Sequence, residues 1–200
     1  VRMSVTTLHD VFAVMAMVAL AGVVLMVIIR LVPSVAAVRL SDRLYRLQLP
    51  LAALVACTAA LGSLYFSENG NHWVPCRFCW FQRIFMYSLA VVLLLATIRR
   101  DRAIRPYAVT LAGIGLLVAI WHNLLERGVV HESAVCAATV PCANPYYVSF
   151  GHINPNTLGP AGFPSITLTV MAFCGFAAIL ALLLLPEPLE VDDNGEPAAS

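Results

Sequence analysis

Apolar residues along this chain gather into five long stretches, set apart by segments that carry arginine, proline or glycine. A bilayer core about 30 Å thick is crossed by roughly 20 apolar residues in a helix, so each stretch, with the second counted from Leu47, is long enough to be a span. The first covers 11–29 and stops at Arg30. The second, 51–66, follows Pro50 and could begin as early as Leu47. The third, 80–98, ends before Arg99 and Arg100. The fourth, 106–125, is opened by Pro106, a residue tolerated in a first helical turn because its missing N–H has no helical acceptor there. The fifth, 166–185, is closed by Pro186-Glu187-Pro188. The pattern predicts an all-α integral membrane helical bundle.

Composition agrees: hydrophobic residues make up 60% of the chain and charged ones 12%, far from the soluble average. All twelve basic residues are arginine, which we read as coding bias, although the guanidinium fork also suits planar oxygen groups. A net charge of +1, with no basic arm, excludes nucleic acid as a partner.

Short cytoplasmic loops carry the arginine excess of membrane proteins. Arg30, Arg39, Arg43 and Arg46 lie between spans one and two, and Arg99, Arg100, Arg102 and Arg105 between spans three and four. Both connections are therefore expected in the cytoplasm, with the N-terminus, 67–75 and 126–164 outside and the C-terminus inside. The acidic segment 186–200 is expected to be a disordered tail. A cleaved signal peptide ending near Ser34-Val35-Ala36 is set aside: the apolar run is long for one, Arg2 is the sole positive charge before it, and arginines follow as a cytoplasmic anchor requires.

Of the six cysteines, Cys57 and Cys174 fall inside spans, where cysteine packs as a small hydrophobe. The other four form two pairs at the predicted outer face, Cys76/Cys79 and Cys136/Cys142, where disulfides are permitted. Cys76-Arg77-Phe78-Cys79 sits where a loop becomes the third helix. The partial positive charge and free N–H groups of a helix start favour thiolate over thiol. Cys76, Cys79 and Arg83 follow an i, i+3, i+7 spacing that shares one helix face. A guanidinium at membrane depth costs a few kcal/mol at the midplane and usually faces a polar partner, unless it snorkels to the headgroups. A CxxC alone leaves three readings open: a redox pair, a structural staple, or a metal site in which His72 joins Cys76 and Cys79 and the other loop supplies a fourth ligand. The second pair lies in a Gly-, Pro- and Asn-rich loop suited to meeting both a soluble partner and the first pair.

Four strings resemble a known family: Gly62-Ser-Leu-Tyr-Phe-Ser-Glu68, Pro75-Cys-Arg-Phe-Cys-Trp-Phe-Gln-Arg-Ile-Phe-Met-Tyr87, Trp121-His122 and Val140-Pro141-Cys142. They are similar to the BdbC branch of DsbB-type disulfide-bond formation proteins, over roughly 47–185. Vitamin K epoxide reductases also combine a helical bundle, a CxxC and a loop pair, but with the loop pair first; the order here favours DsbB. Ser88 stands where the family tends to have proline and Asn123 where an aromatic is usual, and 151–164 is a longer outer segment, which bears on loop geometry and partner choice.

The resemblance implies a DsbB-like four-helix catalytic core, 47–185, preceded by one added transmembrane helix and cytoplasmic loop, 1–46. It implies an oxidoreductase that takes electrons from a DsbA/BdbD-like thioredoxin-fold protein and gives them to membrane quinone, menaquinone or ubiquinone. Cys136/Cys142 would meet the partner, Cys142 would exchange with Cys76, and Cys79 would face the quinone. Arg83, His122, Trp80 and Phe85 would line the quinone site, with no metal. Such a relay needs a strongly oxidising acceptor, because each ~30 mV is worth about 1.4 kcal/mol for two electrons.

Overall fold

The structure, a computed structural model, describes residues 5–32, 35–69, 75–131, 142 and 166–187. Among the described residues five helices run in chain order: α1 Val5–Leu31, α2 Val35–Asn69, α3 Arg77–Arg99, α4 Arg105–Glu126 and α5 Leu168–Leu183. The first four are long and apolar enough to cross a membrane, and α5, at 16 residues, is shorter. This is the helical membrane bundle expected from the apolar pattern, with α5 trimmed at both ends.

The segment expected as a loop before the second span is helical instead. Tyr45, Leu49, Ala52, Ala53, Ala56 and Ala60 are all buried, a stripe of three- and four-residue steps that continues on both sides of Pro50. Proline removes one backbone hydrogen bond and tends to kink a helix. Packing of the stripe on either side outweighs that loss, and α2 runs unbroken for 35 residues.

Consecutive helices are antiparallel. α3 ends at Arg100, whose left-handed backbone (φ 55°) directs its N–H to the Ala96 and Thr97 carbonyls, and Asp101 accepts from the Ala103 N–H (2.9 Å) before α4 begins with Pro106 in its first turn. The core is built from Leu89 and Leu93 of α3, Ala108, Ala112 and Ala119 of α4, Phe176, Ile179 and Leu183 of α5, and the α2 alanines. Small residues let these backbones approach, as membrane helices require when the hydrophobic effect no longer drives association. At Gly115 any Cβ would fall inside the Phe176 ring, so this α4–α5 contact depends on glycine. The outward faces are apolar too, for example Val18, Leu61, Val91 and Leu117.

Arginines from both predicted cytoplasmic connections meet at the end of α5. Arg30 donates to the Leu184 carbonyl (3.0 Å), and Arg105 donates to those of Leu183 and Leu185. Tyr45 donates to Glu187 (3.0 Å), and the Arg102 guanidinium lies over the Tyr45 ring. These cations satisfy the orphan carbonyls and negative dipole end of α5. Cys76, the C-terminal end of α4 and the start of α5 lie at the opposite end of the bundle.

Candidate active site

Cys76 is the N-cap of α3. Its extended backbone (φ −71°, ψ 174°) turns the side chain back over the first turn, where Sγ accepts from the Cys79 N–H (3.4 Å). Sulfur here takes the place of the oxygen that usually satisfies a helix's first free donors. The same geometry brings the two thiols together: Cys76 Sγ donates to Cys79 Sγ across 3.1 Å. That hydrogen bond, with burial adding to it and His122 opposing, pushes the Cys76 thiol up to about 12. Cys76 is thus the member of the pair that holds its proton.

His122, buried on α4, faces Cys76. Its Nε2 lies 3.6 Å from Cys76 Sγ and 3.2 Å from the carbonyl oxygen of Cys142. The Gln82 side-chain amide donates to Nδ1 (3.4 Å), which makes Nε2 the protonated nitrogen that donates toward Cys142. Thr169 Oγ1 approaches Nδ1 at 3.5 Å, and its hydroxyl donates to Glu126. Thr167, the N-cap of α5, donates to the other Glu126 oxygen (2.8 Å). Phe78 lies against the imidazole, with ring centroids 5.7 Å apart. The ring is therefore held from α3, α4 and α5 at once.

Arg83 turns toward α2 rather than toward the membrane surface. Its Nε donates to Ser63 Oγ (3.0 Å), and Nη2 donates to the Ser63 carbonyl (3.4 Å) and to Ser67 Oγ. Tyr87 also donates to Ser63 Oγ (3.3 Å), and the guanidinium stacks on Trp80, 5.5 Å from its centroid. The second terminal nitrogen, with two further N–H donors, has no hydrogen-bond partner among the described residues. Arg83 and Cys79 both border a cavity of about 260 Å³ whose walls are mostly apolar side chains of α1, α2, α3 and α5. Ser63, Gln82 and Tyr87 add polar groups beside them. Cys76 and His122 are not part of its lining.

The model of the disulfide bond formation protein DsbB matches residues 45–186. The chain belongs to the DsbB family. It is 45% identical over 141 residues to the probable disulfide formation protein of Deinococcus radiodurans, covering 70% of this chain and 88% of that one. With disulfide bond formation protein C of Bacillus subtilis it shares 42% identity over 102 residues, half of this chain and 72% of the relative. The probable disulfide formation protein C of Halalkalibacterium halodurans is 32% identical over 133 residues, 66% of this chain and 87% of that one. No solved structure shows significant similarity.

In this DsbB-family chain the structure gathers Cys76, Cys79, Cys142, Arg83 and His122 at one end of the bundle. Cys136 and His72 lie outside the described residues. Trp80 is more than half exposed and touches Arg83 rather than the cavity. Phe85 packs against the core cluster, away from the lining. Cys57 and Cys174 pack as apolar residues, Cys57 with a weak contact to the Ala90 carbonyl. Sequence reasoning missed Gln82 as the partner of His122, Thr167 and Thr169 as partners of Glu126, and Ser63 and Ser67 as partners of Arg83. The serines had a signal, since a pair spaced i, i+4 in an apolar helix presents two hydroxyls on one face. Glu126 accepts from both threonines at the start of α5. The thiol sulfurs of Cys76 and Cys79 and a ring nitrogen of His122 all lie within 4.8 Å of one another, which puts His122 where the metal reading had placed His72.

Proposed function

We propose that this DsbB-family protein is a dithiol:quinone oxidoreductase that reoxidises a thioredoxin-fold disulfide donor outside the cytoplasmic membrane. One observation carries the reading: the two thiols face different surroundings. Cys79 borders the apolar cavity with Arg83, while Cys76 faces His122 and the backbone of Cys142.

In the first step a thiolate of the reduced partner attacks the Cys136/Cys142 disulfide and leaves as the partner's own disulfide. Cys136 and Cys142 take the two electrons as thiols. Cys142 then attacks Cys76 of the Cys76/Cys79 disulfide, Cys136 closes on Cys142, and Cys76 and Cys79 are left as the dithiol. His122 stands between Cys142 and Cys76, where Nε2 donates to the Cys142 carbonyl and orients that backbone toward the receiving sulfur. Cys76 keeps its proton and donates it in a hydrogen bond to the Cys79 sulfur, which leaves Cys79, at the cavity, as the sulfur readier to be thiolate. A cavity with an apolar body and a cationic end fits a quinone ring, and Arg83, with Gln82 and Tyr87 nearby, would hold its oxygens. When bound, quinone supplies the acceptor for two electrons and two protons. Arg83, already fixed by Ser63 and Ser67, meets developing negative charge without reorganising.

The convergence of Cys76, Cys79 and His122 favours a second reading, a site for zinc or copper. Tetrahedral zinc sets sulfur and nitrogen about 3.6 Å apart, as Cys76 and His122 are, but two sulfurs about 3.8 Å apart, wider than the 3.1 Å found here. The sulfur pair thus fits a dithiol better than a ligand set. Anaerobic quinone reduction by the purified protein, driven by a reduced thioredoxin-fold protein, separates the two. Activity that is lost in Cys79→Ala supports the oxidoreductase. No activity with either quinone class, together with stoichiometric zinc or copper, overturns it.

A further inference from the structure

Helix α1 precedes the residues matched by the DsbB model, which begin at 45, yet it is built into the cavity. Phe12, Met15, Ala16 and Ala19 all line it, at steps of three and four that make one helix face. That face packs on α2 and α5. Phe12 lies over Gly62, where any Cβ would fall inside its ring, and meets Phe66 edge-on (centroids 5.6 Å apart, planes at 71°). His9, one turn earlier and buried, meets Phe66 in the same way at 5.4 Å. A glycine in α2 thus receives an aromatic side chain from outside the family core. The other face of α1 is plain apolar surface: Val14 and Val18 are exposed.

We propose that α1 is the specificity-determining wall of the cavity: it shuts the cavity off from surrounding lipid, and Phe12 and Ala16 set the width of the ring that reaches Cys79 and Arg83. The inference rests on the quinone reading for the identity of the ring, but its wall function does not. Ala16 is small and buried against the space it lines, so enlarging it narrows the cavity. Phe12 is the largest α1 side chain there, so truncating it widens the cavity toward a two-ring ligand. One misfitting group in an apolar pocket is worth on the order of tenfold or more in discrimination.

The test uses the full chain in lipid nanodiscs, with short-chain benzoquinone and naphthoquinone as one-ring and two-ring acceptors. Phe12→Ala should lower the naphthoquinone KM relative to the benzoquinone KM by about tenfold, and Ala16→Phe should raise both by about tenfold with kcat little changed. Val18→Phe, on the lipid face of the same helix, should alter neither. Independently of turnover, alkylation of Cys79 by a lipid-soluble pyrenyl maleimide, read by peptide mass spectrometry, should be faster in Phe12→Ala and slower in Ala16→Phe. Ala19→Leu provides a milder wedge where Ala16→Phe fails to fold. KM ratios and alkylation rates that match the wild type in all α1 variants overturn the proposal. If the wild type reduces neither quinone, the oxidoreductase reading falls and the alkylation series alone decides whether α1 is the wall.

Discussion

His122 Nε2 lies between two chemical neighbours, 3.6 Å from the Cys76 sulfur and 3.2 Å from the Cys142 carbonyl, so one ring on α4 touches both cysteines between which disulfide exchange is proposed. Replacing it by alanine removes both contacts. The exchange between Cys142 and Cys76 should slow by about 100-fold, the low end of what a positioned acid–base group contributes. Stopped-flow reduction of quinone at saturating reduced partner, which has to pass through the exchange, measures this, and a rate within twofold of wild type would remove His122 from the relay.

The Cys76 thiol is pushed up to about 12, first by the hydrogen bond it donates to Cys79. A raised thiol pKa means that the nucleophilic thiolate becomes scarcer at neutral pH and grows as pH rises. Alkylation of Cys76 in the reduced protein should therefore still be climbing at the most alkaline pH the fold tolerates. In Cys79→Ala the largest raising influence is gone, so the Cys76 profile should move to lower pH. An unchanged profile would show that the two sulfurs do not share the proton.

Arg83→Lys keeps the charge but cannot reproduce three donated bonds from one planar fork to Ser63 and Ser67. The quinone KM should rise by about tenfold, in line with the 1.5–3 kcal/mol of a hydrogen bond to a charged group. Ser63→Ala should produce a smaller rise in the same direction. Steady-state kinetics at saturating partner would show it, and equal KM values in wild type and Arg83→Lys would count against the arginine as the polar anchor.

Gly115→Ala should destabilise the bundle without touching the thiols, because the new methyl group falls inside the ring of the fully buried Phe176. Overpacking of this kind costs about 1–3 kcal/mol. Thermal unfolding in detergent should show the loss, and the double substitution Gly115→Ala/Phe176→Leu should recover much of it. Failure of the second change to compensate would mean that the strain lies elsewhere.

The helices and the site differed in how far they could be read from sequence. Spans 80–98 and 106–125 were legible because arginine or proline closes or opens each run. The early start of α2 was not, since its first part has enough arginine to pass for a loop, and only the burial of Tyr45 and Leu49 reveals the continuous stripe. Cys76 as a helix start and Arg83 one turn beyond Cys79 followed from spacing. The Gln82–His122 and Thr169–Glu126 contacts did not, because each joins residues at least 40 positions apart that no local period relates. Beyond Asp10 and up to Arg30, α1 is apolar all round, and such a stretch carries no sign of which face is inside; its place in the cavity wall is fixed by packing against α2 and α5.

Arg30 and Arg105 both anchor on carbonyls at the end of α5, which fastens α1, α4 and α5 together at the end remote from the cysteines. α4 has 22 residues and is therefore about 33 Å long at 1.5 Å per residue, so one degree of tilt about the pinned end displaces its far end by about 0.6 Å. His122 rides near that far end. The far end is tied in its turn, by the bonds that Glu126 accepts from Thr167 and Thr169, so α4 is held at both ends and the arginine anchors and the chemistry stand a helix length apart.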